Sequence, residues 1–84
     1  MKKIFESKYY TIDGEDAEKV YVFKLDNDDE YWQLSNMSFE EKCEYFDVHY
    51  ISSFGVAPGN VYYSYVFDIG LNHAVMYERT SYNV

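Results

Sequence analysis

A chain of 84 residues has room for one domain, and its single cysteine, Cys43, excludes an intramolecular disulfide. A small chain buries a small share of its surface, so the core must be dense; eleven Tyr, six Phe and one Trp supply it, each ring removing ~150–250 Å² from water. The net charge of −8 argues against binding to nucleic-acid phosphates or to an anionic membrane surface.

Ile4 to Ile12 has strand composition, and Asp13-Gly14 supplies a pair that tolerates φ > 0, so a hairpin is expected there. From Lys19 the alternation places Tyr21, Phe23 and Leu25 on one face and Val20, Val22 and Lys24 on the other. Asp26-Asn27-Asp28-Asp29-Glu30 reads as an acidic turn into a further strand, with Phe23, Leu25, Trp32 and Leu34 assigned to the core. The Val20, Val22 and Tyr31 face is half polar and reads as a second, shallower contact surface.

Ser38-Phe39-Glu40-Glu41 has capping-box spacing, in which a hydroxyl and a carboxylate satisfy each other's backbone N–H groups. Phe39, Cys43, Phe46 and Tyr50 follow at steps of four, three and four, one helical stripe. With Gly55 as C-terminal cap and Pro58 beyond it, the helix is expected over Phe39–Ser53. The competing reading ends it near Phe46 and makes Val48–Phe54 a strand. After a loop at Val56–Asn60, Val61–Ile69 and Ala74–Tyr82 read as a hairpin joined at Gly70–His73. The expected fold is α+β, over residues 1–84: a mainly antiparallel five-stranded sheet with one helix, in the order β-β-β-α-β-β.

Chemical motifs are sparse. Asp26, Asp28 and Glu30 alternate as in a calcium loop, but Tyr31 and Met37 occupy the positions that require Gly and Glu. His49 and His73 with Cys43 lack the spacing of a zinc set, and the glycines at 14, 55, 59 and 70 are scattered rather than gathered into a phosphate loop. No enzyme, metal or cofactor is expected. No stretch approaches ~18 apolar residues, and Met1–Glu6 turns acidic before any signal-peptide core, so a soluble cytoplasmic location is expected.

Charge position says more than charge total. Asp13 to Asp47 holds twelve acidic residues against Lys19, Lys24 and Lys42, while the rest of the chain carries +1. The Asp13–Asp16 and Asp26–Glu30 turns lie at opposite ends of one strand, roughly 20–25 Å apart. Glu40, Glu41, Glu44 and Asp47 form a third group along the helix. Together they present a field like a short run of phosphates, which would attract a basic groove. Eleven tyrosines exceed what such a core can bury, and Tyr62, Tyr77 and Tyr82, with some of Tyr9, Tyr10 and Tyr45, are expected at the surface.

In size, acidity and tyrosine content the chain resembles the small phage-encoded inhibitors of bacterial defence, the anti-CRISPR and DNA-mimic proteins. The resemblance implies stoichiometric inhibition of a nuclease or CRISPR effector complex at the site where nucleic acid should lie, in the host cytoplasm. The residues expected to face the basic protein partner are Asp26, Asp28, Asp29, Glu30, Glu40, Glu41 and Glu44, with Tyr31 as apolar anchor. Two other readings stand beside it: an immunity protein or antitoxin against a basic toxin, which uses the same physics, and a structural or assembly module, a homodimer or larger homo-oligomer in which exposed Tyr-bearing strands pair edge to edge.

Overall fold

The structure is a computed structural model that describes residues 1–13, 16–48 and 61–82. Its elements are β1 (Lys2–Glu6), β2 (Tyr10–Asp13), β3 (Asp16–Lys24), α1 (Asp28–Ser35), α2 (Phe39–Tyr45), β4 (Val61–Ile69) and β5 (His73–Tyr82). The strands form one antiparallel five-stranded sheet in the order β1-β3-β5-β4, with β2 also paired to β3. The α+β class is as expected; among the described residues there are two helices rather than the one expected, and the element order differs accordingly.

The single strand expected over Ile4–Ile12 is β1 and β2 in succession, both lying antiparallel along the same edge of β3. Ser7 marks the break. Its N–H donates to the Val20 carbonyl (2.9 Å) and its Oγ accepts from the Val20 N–H (2.8 Å), so neither backbone group of Val20 is left open. A bulge at Ile4 shifts the register, so that Lys3 opposes Phe23 while Glu6 opposes Tyr21. Lys3 and Glu6 thereby share one face and form an ion pair.

The expected strand over Tyr31–Leu34 is instead part of α1. Asn27 is extended (φ −164°) and its side chain accepts the Glu30 N–H at 3.0 Å, an N-cap that satisfies one of the first-turn donors. Asp28, Asp29 and Glu30 fill the first turn, where carboxylates complement the positive end of the helix dipole. The helical period puts Glu30 and Leu34, four apart, on the buried side. Trp32 points away and is 60% exposed, so its assignment to the core is corrected. Leu25 and Leu34 are core residues as expected, and Phe23 packs against them partly buried.

In α2 the capping box forms as read: the Ser38 Oγ accepts the Glu41 N–H at 3.2 Å, and the Glu41 carboxylate accepts the Ser38 N–H at 3.1 Å. The helix ends at Tyr45, as in the competing reading and not at Ser53. Asp47 adopts φ 56°, its N–H donates to the Glu44 carbonyl (3.1 Å), and the Val48 N–H donates to the Cys43 carbonyl (2.9 Å). That pair of bonds is a Schellman motif, closed by Asp47 in the left-handed region where glycine is usual. The Gly55 and Pro58 stop signal, Tyr50 of the stripe, the alternative strand beyond Val48, the Val56–Asn60 loop and Gly14 lie outside the described residues.

Directly paired residues share a face. One face carries Tyr21, Phe23, Tyr65, Phe67, Ile69, Ala74 and Met76, and both helices pack on it. Leu34 and Ala74 are fully buried there, and Phe46 stacks its ring 5.0 Å from both Phe23 and Phe67.

Candidate functional site

The helical layer concentrates the charge. Residues 26–47 hold eight of the fifteen acidic residues and one base, Lys42, so this segment carries −7 of the total −8. The sheet is nearly neutral, and five of its charged residues are paired locally. Glu6 meets Lys3 and Lys19 (2.8 Å to Lys19), and Glu18 meets Arg79 at 3.5 Å. The Lys19 ammonium, then that of Lys3, hold the Glu6 carboxyl down at about 2.

The residues expected to face a partner separate into two sets. Asp28, Asp29, Glu40 and Glu44 are exposed, and among the described residues none is in an ion pair. Asp26 is exposed while bound to the Met1 ammonium at 2.8 Å, and Glu41 is exposed while serving the α2 cap. Glu30 is the correction: it is 7% exposed and wholly engaged inside the protein. Its carboxylate accepts from the Tyr45 hydroxyl, the Asp26 N–H (2.8 Å) and the Met1 ammonium (3.2 Å). Burial alone would push this carboxyl up, but the Tyr45 hydroxyl, the Asp26 amide and the Met1 ammonium outweigh it and hold it below the ordinary value. Bonding to Glu30, with burial added, pushes the Tyr45 phenol up to about 12.

Tyr31 is half-buried against the core, so its ring serves packing more than anchoring. Trp32 takes the exposed position instead, edge-on to Tyr31 at 5.0 Å and on the same helix as Asp28 and Asp29. The sequence carried the signal for this: Asn27 and Glu30 repeat the cap-x-x-Glu spacing of Ser38 and Glu41, and a helix starting at Asp28 turns Trp32 away from Leu34.

The tyrosines divide between surface and structure. Tyr9, Tyr10 and Tyr45 are exposed and Tyr77 is partly buried, while the side chains of Tyr62 and Tyr82 lie outside the described set. Even exposed rings turn their hydroxyls inward. Tyr9 and Tyr21 (3.4 Å) donate to one oxygen of buried Glu78 and Tyr65 (3.0 Å) to the other. Lys19 lies over the Tyr9 and Tyr21 rings at 5.3 and 5.1 Å.

A cleft of about 340 Å³ opens between β1, β3 and the end of α2, with Phe23, Phe46 and Met76 as apolar walls and Lys3 and Asp47 as its charges. It holds no nucleophile paired with a base. Among the described residues no three His, Cys, Asp or Glu side chains converge as metal ligands would, and no helix is long and apolar enough to cross a membrane. No family model, curated protein or solved structure matches the chain.

Proposed function

We propose that the protein is a stoichiometric inhibitor that occupies a basic nucleic-acid-binding surface of a nuclease or CRISPR effector, acting in the cytoplasm as an anti-CRISPR or DNA mimic. The observation that carries this reading is the segregation of −7 charges onto the helical layer beside a nearly neutral sheet. Asp28, Asp29, Glu40 and Glu44 meet the partner's Lys and Arg side chains. Asp26 and Glu41 add charge from positions they also hold for the fold, and Trp32 supplies the large apolar contact beside them. Aromatic rings next to charge are the usual anchors of such interfaces, and the summed negative field raises the association rate with a basic groove.

The experiment is capture of partners from bacterial lysate by the tagged protein at low and high salt, followed by a cleavage assay on any nuclease or effector recovered. A basic effector that is released as salt rises, and whose nucleic-acid cleavage is blocked at one-to-one ratio, supports the reading. Reversing Asp28 and Asp29 to Lys should weaken that inhibition strongly at low salt. Unchanged inhibition by this variant removes the helical layer from the interface.

A further inference from the structure

The sheet face opposite the helices is not built like a solvated one. An antiparallel sheet with one wet face normally alternates apolar-in and polar-out. Here the register lines up Phe5, Val22 and Val75 in one row, which ends at exposed Asp68 on the edge strand β4, and Val20, Tyr77 and Val66 in the next, all on the open face. Phe5 is 54% and Val66 63% exposed. Polar residues bound this centre at both strand ends: Lys2, Lys24 and His73 at one, Asp16, Glu18 and Arg79 at the other. An apolar centre with a charged rim is the anatomy of a protein interface.

We propose that this face is covered by the same face of a second copy of the chain, in a two-fold homodimer whose β3 strands run antiparallel across the interface. Charge selects the arrangement. With the two-fold axis perpendicular to the strands, the Lys2 and Lys24 end of each copy lies over the Asp16 and Glu18 end of the other, twice by symmetry. The alternative two-fold axis, along the strands, stacks lysines on lysines and acids on acids. Area is sufficient: four strands abreast and nine residues long cover roughly 19 by 29 Å, about 550 Å² per copy. The pair buries about 1,100 Å², just above the ~1,000 Å² of a specific interface. Val66, Tyr77 and Val20 of each copy interdigitate with their symmetry mates, as isologous contacts require. The acidic helical layers remain on the two outer surfaces, so the dimer is independent of partner binding and would present two such surfaces at once.

The test is the solution mass of the full chain by light scattering across a micromolar to millimolar range. The expected result is a shift from 10.1 kDa to twice that value. Val66→Lys, an exposed position on an outer strand, should raise the dimer dissociation constant at least about tenfold, each 1.4 kcal/mol being one such factor. A K2E/K24E variant and a D16K/E18K variant should each be monomeric alone and form a one-to-one dimer when mixed. Near-ultraviolet circular dichroism confirms that each variant is folded. A monomer at every concentration overturns the proposal, as does a dimer indifferent to Val66→Lys. Failure of the two folded charge variants to recombine overturns the antiparallel arrangement.

Discussion

The Tyr45 hydroxyl of α2 donates to the Glu30 carboxylate of α1, a bond across fifteen residues that joins the two helices beside the Met1 ammonium. It places one carboxylate of a strongly acidic segment inside the protein and so distinguishes a structural acid from those left at the surface.

Removing either partner should therefore lower stability by different amounts. Tyr45→Phe deletes one of three donors to Glu30 and should cost about 1 kcal/mol, whereas Glu30→Ala strands the Asp26 N–H, leaves the Met1 ammonium with Asp26 as its one carboxylate partner, and should cost about 2–3 kcal/mol. Urea unfolding of the single and double variants checks this. The double variant should cost less than the sum, since the two changes remove a shared bond.

Asp47 closes α2 in a conformation that glycine adopts without penalty, and it places an acidic residue at the negative end of the helix dipole. Asp47→Gly should raise stability by about 0.5–1 kcal/mol, read as a higher urea midpoint. Asp47→Val should lower it, because a β-branched side chain is strained at positive φ.

Trp32 and Leu34 would be equivalent on a strand and are opposite on α1. Leu34→Ala should cost about 2–5 kcal/mol, while Trp32→Ala at an exposed site should stay within about 0.5 kcal/mol. Wild-type tryptophan emission should sit at the wavelength of a solvated indole and shift little on unfolding.

Stability should fall at both ends of the pH scale. The folded Glu6 and Glu30 carboxyls lie below their unfolded values, so their contribution is full above about 4.5 and is lost as pH falls, for Glu6 down to about 2. Tyr45 is raised to about 12, and Tyr9, Tyr21 and Tyr65 are raised as well, chiefly by burial for these three, so their contribution is full below 10 and is lost as pH rises. Tyrosinate absorbance followed through an alkaline titration should show this group ionising late, and Glu30→Gln should bring Tyr45 back toward 10.

The sequence by itself determined the elements whose signals are local. The β2–β3 and β4–β5 hairpins follow from alternation between turn residues, and the start of α2 follows from Ser38 and Glu41, because a cap is complete within four residues. The concentration of acid in the middle of the chain was equally legible, since charge needs no fold to be counted. Tertiary structure decided the rest. The Asn27 cap spacing offers a helix while the alternation of Trp32 with Leu34 offers a strand, and the choice between them rests on Leu34 joining Leu25, Ala74 and Met76 in the core. The cap spacing marks Glu30 but does not say that it is buried where Asp28 and Asp29 are not; Met1, 29 residues away, and Tyr45 bring it an ammonium and a hydroxyl. The apolar open face became visible only when the pairing of β1, β3, β5 and β4 set side by side valines that the chain keeps far apart. Burial is a property of which surfaces meet, and that is settled by contacts distant in sequence.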